Sequence, residues 1–246
     1  MIDMDYDSKL LAEISGRLER VKEEINEAVI SAGRKPEEVT LIGVSKVFPV
    51  EYAEAAFNCG LKDLGEHRVQ ELVPKIERFN ELGLEANWHL IGTLQTNKVK
   101  DIIGKTKLVH SVNTLNLAAE ISKRSVNNNI ITDILIQANI SGEESKHGFA
   151  ESELKSAIEE MSSMDGIRLR GLMTMAPIQS YEGEAQKVFE RTYKVYEELK
   201  SELKDPSVWN VLSMGMSQDY KYAIKEGATH IRIGTAIFGD RNAYLN

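Results

Sequence analysis

Apolar residues at the start of the chain recur at steps of three and four, which is the spacing of one face of an α-helix. Charged residues fill the other faces, and Gly33 and Pro36 supply a stop signal. The pattern predicts a helix within residues 1–35 that packs on the rest of the protein through one apolar stripe, formed by Leu11, Ile14, Leu18, Val21, Ile25 and Ala28.

After Pro36 the pattern changes to short β-rich runs that alternate with amphipathic helical stretches. Several runs are almost continuously apolar, as expected for parallel strands that are buried on both faces. Eight strands are predicted, at residues 39–46, 63–66, 88–92, 108–112, 132–139, 169–174, 208–214 and 230–234. Seven helices are predicted between them, at about residues 50–58, 67–82, 96–103, 114–127, 151–163, 183–203 and 218–226.

This alternation indicates an α/β protein with a single (β/α)8 TIM barrel and an additional N-terminal helix. An open doubly wound sheet is the alternative, but no Gly-x-Gly-x-x-Gly motif follows the first predicted strand. No Pro- or Ser-rich linker interrupts the sequence, so residues 1–246 are expected to form one domain. The loop at residues 141–149 would lie at the C-terminal mouth of the barrel, where ligands bind.

Composition narrows the class of protein. The chain has 246 residues and a net charge of −8, which argues against binding to nucleic acids or anionic membranes. No run approaches the ~18 apolar residues of a membrane span, and the acidic N-terminus does not resemble a signal peptide. The single cysteine, Cys59, allows no internal disulfide and suits a reducing compartment. We therefore expect a cytoplasmic monomer.

Lys46 closes the first predicted strand, an apolar run that includes Leu41 and Val44. Desolvation at such a place lowers the pKa of a lysine, and a neutral amine can form a Schiff base with an aldehyde. A lysine that simply reaches from the strand end into water is the alternative. Arg232-Ile233-Gly234-Thr235, at the last strand end, has the composition of a site for a phosphate and a ring nitrogen. An aldehyde that carries a phosphate would suit both places, and pyridoxal 5'-phosphate (PLP) is the candidate.

The ends of the last two predicted strands carry groups that can bind a phosphate. Gly234 lets the backbone approach a ligand, and Thr235 adds a hydroxyl group. Ser213 and Ser217 precede a predicted helix, where serine hydroxyls and free N–H groups can contact a phosphate or can serve only as helix caps. Phosphates in TIM barrels often lie after strands 7 and 8, which favours the phosphate interpretation.

The histidines do not predict a metal centre. His89, His110 and His230 lie in strand-like runs, and a partly buried structural histidine is the simplest interpretation of His89. No two histidines have the spacing of metal ligands, and the motif His-Glu-x-x-His does not occur. We therefore predict no metal site.

Eight short segments carry a more specific pattern. They are Val44-Ser45-Lys46, Gly65-Glu66, Val69-Gln70-Glu71, His89-Leu90-Ile91-Gly92, Gln95-Thr96-Asn97-Lys98, Arg170-Gly171-Leu172-Met173, Leu212-Ser213-Met214-Gly215-Met216-Ser217 and Arg232-Ile233-Gly234-Thr235-Ala236-Ile237-Phe238-Gly239. Together these segments resemble the pyridoxal phosphate homeostasis proteins. The resemblance runs from about residue 39 to residue 241, and its last two motifs are long and specific.

The resemblance implies a barrel related to the N-terminal domain of alanine racemase, with PLP held by Lys46 as a Schiff base. It also implies that Arg232 faces the pyridine nitrogen, and that the phosphate is held by Ser217, Gly234 and Thr235, with Ser213 as an additional candidate. His89 and Met214 would lie near the cofactor. His67 is a departure, because the family usually has asparagine there. Its imidazole could still donate a hydrogen bond to the cofactor.

The implied contact of Arg232 favours a carrier over a catalyst. A permanently charged guanidinium can only donate to an unprotonated ring nitrogen, which makes PLP a weak electron sink. Two-base racemisation also needs a second acid/base, which alanine racemase takes from a separate C-terminal domain, whereas this sequence ends at Asn246. We therefore expect a PLP-binding protein of intracellular PLP homeostasis that stores the cofactor reversibly and delivers it, with PLP-dependent apoenzymes as candidate recipients.

Two alternatives stay open. One is a PLP-dependent amino-acid racemase, or another weak PLP enzyme, that takes its base from a loop. The other is a Schiff-base aldolase without PLP, which is less favoured because nothing clearly supplies polar groups for a sugar.

Overall fold

The computed structural model describes residues 4–143, 147–177, 183–203 and 205–244, and within them nine strands pair in parallel. They are β1 (Thr40–Val44), β2 (Asp63–Glu66), β3 (Asn87–Leu90), β4 (Leu108–Val112), β5 (Thr132–Asn139), β6 (Phe149–Ala150), β7 (Ile167–Met173), β8 (Val211–Met216) and β9 (His230–Ile233). Eight of them close a barrel, because β1 pairs with both β2 and β9 while β4 pairs with β5. The predicted TIM barrel is confirmed, and each predicted strand overlaps one strand of the barrel.

The helices connect successive strands along the outside of the barrel. They are α1 (Met4–Ser31), α2 (Val50–Asn58), α3 (Val69–Glu81), α4 (Val99–Ile102), α5 (Leu115–Asn127), α6 (Leu154–Met161), α7 (Glu184–Lys200), α8 (Tyr220–Lys225) and α9 (Thr235–Phe238). Each predicted helical stretch contains one of these helices. The sequence did not predict α9, because four residues are too few to show a helical period.

Helix α1 packs against α2, α8 and α9, beside the strands that close the barrel. At each end of its buried stripe, the buried residue is the sequence neighbour of the residue that was predicted to be buried. Leu10 is buried and Leu11 is exposed, while Val29 is fully buried and Ala28 only partly so. Both pairs of adjacent apolar residues fit a helical period, and the packing selects one member of each pair.

Two hydrophobic clusters lie on opposite sides of the barrel wall. The smaller one consists of Leu108, Leu135, Met173 and Val211, all on strands. The larger one includes residues of both strands and helices, such as Leu212 and Ile224. Since side chains alternate along a strand, the residues two positions after Leu108 and Val211 also point into the barrel. These residues are His110 and Ser213, and both are buried.

The loop after β5 contains a short strand that was not predicted. Phe149 and Ala150 form β6, which pairs with Ala138 and Asn139 of β5. Gln137 Nε2 also donates to His147 O at 2.9 Å. The predicted loop at residues 141–149 therefore ends in a strand, while its residues 144–146 lie outside the described residues.

In the part of the chain that the structure describes, no helix is both long enough and apolar enough to cross a membrane.

Candidate functional site

A turn follows β1, in which the N–H of Phe48 donates to Ser45 O at 3.1 Å. Ser45 is fully buried and its Oγ donates to Glu66 Oε1 at 2.6 Å. Lys75 Nζ, from α3, donates to the same carboxylate oxygen at 2.5 Å and to Ser45 O at 2.8 Å. These bonds hold Ser45 towards α3, outside the barrel wall. Lys46 is the next residue in this turn, at the carboxyl end of β1, and the carboxyl ends of the strands form the mouth of the barrel.

The environment of Lys46 favours its neutral amine. The side chain is half-buried, and this burial lowers the pKa of Lys46 below its ordinary value. The positive charge of Arg241 lowers the pKa of Lys46 further, while Glu66 and Glu71 oppose the shift. The sequence-based expectation of a lowered lysine pKa is confirmed in direction, and Arg241 is a contributor that the sequence did not reveal.

Val47, the next residue, has a left-handed backbone with φ of 64°. This conformation is costly for a β-branched residue. Its N–H donates to Glu71 Oε2 at 2.7 Å, so a carboxylate from α3 supports the turn directly after Lys46. The residues that flank Lys46 are therefore both held, Ser45 by Glu66 and Lys75 and Val47 by Glu71.

Arg232 lies inside the barrel on β9 and is 5% exposed. It donates from Nη1 to Ser213 Oγ at 2.5 Å and from Nη2 to Thr174 O at 3.0 Å. Burial lowers the pKa of Arg232 to about 10, and the negative charge of Asp219 opposes this shift. Arg232 therefore stays protonated at neutral pH, with two of its nitrogens already oriented by the protein.

Two hydroxyl groups meet at the ends of β8 and β9. Thr235 Oγ1 and Ser217 Oγ lie 3.4 Å apart, with Thr235 exposed and Ser217 partly exposed. Gly234, just before Thr235, packs closely against β1, since a Cβ there would lie 3.2 Å from Val44 O. The parallel strands thus place this hydroxyl pair at the same mouth as Lys46.

Three other residues that were predicted to contact the cofactor do not lie at the mouth. His89 and Ser213 point into the barrel and are buried, where they bond to other protein groups. Met214 is fully buried in the larger hydrophobic cluster, with residues of the helices. The structure therefore groups Lys46, Ser217, Gly234 and Thr235 at the mouth and Arg232 with Ser213 beneath it. Direct contact of a cofactor with His89 or Met214 stays a prediction.

His67 follows β2 and its pKa is lowered, mainly by burial. Its Nδ1 and Glu66 Oε2 are buried and have no hydrogen-bond partner among the described residues. Together with Glu71, these residues offer one ligand atom each within 4.8 Å of one another. However, the Lys75 ammonium already contacts Glu66 and the Arg68 guanidinium lies 3.9 Å from Glu71, so cations of the protein already balance both carboxylates. The arrangement does not assign a metal site.

The structure also shows residues bonded to the predicted site that were not predicted from the sequence. His110, read from the sequence as a strand residue, bonds to both His89 and Ser213. Asp63 accepts a hydrogen bond from His89 at 2.9 Å. The two-residue alternation from Leu108 to His110 was the available signal, but alternation alone does not say which side chains meet across a barrel.

Comparison with known families first gives the class of this barrel. The family described as alanine racemase, N-terminal domain, matches residues 23–242. The solved alanine racemase of Clostridium difficile 630 has a TM-score of 0.71 and 16% identity, and the match covers 93% of this chain and 57% of that one. At this identity the likeness shows the fold alone. The protein is thus a barrel of the alanine racemase type with a lysine at the end of its first strand.

Closer relatives give the family. The pyridoxal phosphate homeostasis protein of Aquifex aeolicus is 44% identical over 229 residues, which cover 92% of this chain and 97% of that protein. The protein of the same name from Escherichia coli K12 is 36% identical over 231 residues, covering 94% and 97%. The chain belongs to the pyridoxal phosphate homeostasis protein family. A solved structure of PipY from Synechococcus elongatus PCC7942 with PLP bound has a TM-score of 0.79 and 29% identity, covering 92% of this chain and 100% of that one.

Proposed function

We propose that this protein binds PLP through a Schiff base on Lys46 and serves intracellular PLP homeostasis by storing the cofactor reversibly and delivering it to apoenzymes. We also propose that the protein is cytoplasmic and monomeric. It is supported by membership of the family, whose curated relatives are named for PLP homeostasis, and by the PLP-bound structure of PipY.

The observation that carries the proposal is the setting of Lys46. A half-buried amine with a lowered pKa is neutral more often than a fully solvated lysine, and the neutral amine is the form that attacks an aldehyde. PLP, when bound, supplies an aldehyde that condenses reversibly with a primary amine. The turn on which Lys46 lies is fixed by the bonds of Ser45 and Val47 to acidic groups, so the amine is presented from a defined backbone.

The other groups near the mouth fit the rest of the molecule. The Ser217 and Thr235 hydroxyls, with the backbone at Gly234, suit a phosphate because all can donate hydrogen bonds. The Arg232 guanidinium beneath the mouth can donate to a ring nitrogen. His67 is close enough to Lys46 for their charges to interact. Its imidazole stands where the family usually has an asparagine amide as donor. With Lys46, these residues offer a partner for the aldehyde, the phosphate and the ring of PLP.

Arg232 favours a carrier over a catalyst. With a pKa of about 10 it is charged at neutral pH, so it can donate a proton in a hydrogen bond but cannot accept one from a ring nitrogen. A ring nitrogen held in this way stays unprotonated, and the withdrawal of electrons that amino-acid chemistry needs is weak. Reversible binding of the aldehyde does not need that withdrawal.

The test is a titration of the PLP-free protein with PLP, followed by visible absorbance, and then borohydride reduction with mass analysis of peptides. We expect an absorbance band in the wild type and a PLP mass addition on Lys46. Lys46→Ala should lack both. Lys107→Ala, a change at the opposite end of the barrel, should behave like the wild type. Equal labelling of Lys46→Ala and wild type would contradict the assignment of Lys46.

Storage and delivery need a second measurement. The loaded protein is mixed with the apo form of a PLP-dependent enzyme, and the recovery of that enzyme's activity is followed. We expect recovery that depends on Lys46. Racemisation of L-alanine or L-serine by the loaded wild type, above the level of Lys46→Ala, would instead support the racemase alternative.

A further inference from the structure

A continuous series of hydrogen bonds crosses the interior of the barrel and ends at Arg232. Arg232 bonds to Ser213 Oγ at 2.5 Å, and Ser213 Oγ lies 2.9 Å from His110 Nδ1. His110 Nε2 lies 3.0 Å from His89 Nδ1, and His89 Nε2 lies 2.9 Å from Asp63 Oδ1. We call these five residues the interior network. They come from β2, β3, β4, β8 and β9.

When both histidines are neutral, one arrangement of protons satisfies every bond of the interior network. The guanidinium of Arg232 can only donate, so Ser213 Oγ accepts from it and gives its own proton to His110 Nδ1. A neutral His110 then carries its proton on Nε2 and donates to His89 Nδ1. His89 carries its proton on Nε2 and donates to the carboxylate of Asp63. Burial lowers the pKa of His110 well below its ordinary value, which agrees with a neutral ring.

The two ends of the network lie in different surroundings. Arg232 lies beneath the mouth that carries Lys46. Asp63 and His89, by contrast, line an open cavity of about 610 Å³ at the amino-terminal end of the strands. His230 and Arg170 line the same cavity, and burial lowers the pKa of His230 to about 3, so His230 adds no positive charge there at neutral pH. The network therefore joins the inside of the candidate cofactor site to the opposite end of the barrel.

We infer that Ser213 and His110 are positioning residues that orient Arg232 towards the cofactor ring, with His89 and Asp63 fixing the orientation of His110. This inference rests on the proposed function. Because the Ser213 hydroxyl proton is committed to His110, Ser213 is not free to donate to a phosphate, and its role differs from that of Ser217. The bonds to Ser213 and to Thr174 O hold two nitrogens of the guanidinium, which fixes its plane.

The proton arrangement can be tested on the PLP-free protein. Long-range proton–nitrogen correlation spectra of protein with ¹⁵N-labelled histidine distinguish the two neutral tautomers and the charged ring. We expect both His89 and His110 to be neutral and protonated on Nε2, and Ser213→Ala to shift the Nδ1 resonance of His110. A charged His110, or one protonated on Nδ1, would overturn the inference whether or not the protein binds PLP.

The effect on Arg232 is tested with PLP-loaded variants. Ser213→Ala should shift the absorbance maximum of the bound cofactor and raise its dissociation constant about tenfold, since a hydrogen bond to a charged group is lost. His110→Phe, which keeps a ring of similar size but cannot accept the Ser213 proton, should shift the maximum in the same direction. Ser125→Ala is the matched control, because Ser125 is equally buried and bonds to the Thr132 hydroxyl at 2.6 Å away from the site.

The results separate this inference from the proposed function. A wild type that forms no Lys46 adduct defeats the proposed function, while the tautomers of the PLP-free protein still test the network itself. A wild type that binds PLP, with Ser213→Ala and His110→Phe giving the same absorbance maximum and affinity as the wild type, overturns the positioning role alone. If Ser213→Ala does not fold, His110→Phe and the tautomers of the wild type decide the question.

Discussion

Glu71 Oε2 accepts the backbone N–H of Val47 at 2.7 Å, and Val47 is held there in a left-handed conformation directly after Lys46. Backbone strain of this kind costs roughly 1–3 kcal/mol and persists only where surrounding contacts enforce it. The strain lies next to the amine proposed to carry PLP. A carboxylate from α3 is therefore part of what places that amine.

A double-mutant cycle tests the coupling of Val47 with Glu71. Glu71→Ala should lower the free energy of unfolding by about 1–3 kcal/mol, because a charged acceptor is lost from a strained turn. The loss should be smaller in a Val47→Gly background, since glycine adopts this φ without strain. Urea unfolding of the four proteins gives the coupling. Equal losses in the two backgrounds would show that Glu71 does not support the strained turn.

The charge of Arg241 should be visible in the pH dependence of PLP uptake. Arg241→Gln removes a positive charge that lowers the pKa of Lys46, so the pKa of Lys46 should rise. Less neutral amine is then present at a given pH, and the midpoint of adduct formation at fixed PLP concentration should move to higher pH. Spectrophotometric titration measures this midpoint. Arg20→Gln, on the exposed face of α1, should leave it in place, and a fall in the midpoint for Arg241→Gln would refute the electrostatic account.

Acid should destabilise the fold through His230. Burial lowers the pKa of His230 to about 3, whereas an unfolded histidine takes up a proton below about pH 6.5. Because the unfolded state binds more protons, stability falls as the pH drops from about 6.5 to about 3. For His230 the loss at pH 5 is about 2 kcal/mol.

His230→Gln removes this contribution. Its free energy of unfolding should fall between pH 7.5 and pH 5 by about 2 kcal/mol less than that of the wild type. Urea unfolding at the two pH values provides the measurement. His147→Gln, at an exposed histidine, is the control and should keep the slope of the wild type. An unchanged slope in His230→Gln would show that His230 does not stay neutral in the folded protein.

The buried ion pair of Glu66 and Lys75 should be sensitive to loss of one partner. Glu66 is fully buried, Lys75 is 6% exposed, and burial raises the pKa of Glu66 against the effect of Lys75. Lys75→Met leaves the carboxylate without its counter-ion and should cost about 3–5 kcal/mol in unfolding free energy. Adding Glu66→Leu should recover part of that loss, because the uncompensated charge is removed as well.

An exposed ion pair provides the control for the buried pair of Glu66 and Lys75. Lys155 and Glu202 lie 3.0 Å apart with side chains 58% and 45% exposed. Lys155→Met should change the stability little, because water solvates both groups. If the Glu66→Leu/Lys75→Met protein is less stable than Lys75→Met alone, the stability loss of Lys75→Met does not come from the uncompensated charge of Glu66.

The sequence by itself determined the barrel and the place of Lys46. Each strand of a parallel barrel is buried on both faces and is followed by an amphipathic helix, so every β–α unit carries its own local signal. Residues 63–66 and 132–139 were predicted with the bounds that β2 and β5 have. The position of Lys46 after β1 and of Thr235 after β9 also follows from local pattern, because strand ends in a parallel barrel share one mouth.

Only the tertiary structure decided which side chains meet inside the barrel. Asp63, His89, His110 and Ser213 lie on four strands separated by up to 150 residues, and a local pattern does not record the stagger between strands. In β8 the register also shifts between Ser213 and Met216, where Gly215 has φ of 93°. That irregularity breaks the two-residue period on which a sequence-based assignment of faces depends. Met214 lies on the opposite face from Ser213 by simple alternation, whereas the meeting of Ser213 with Arg232 depends on the stagger of β8 against β9.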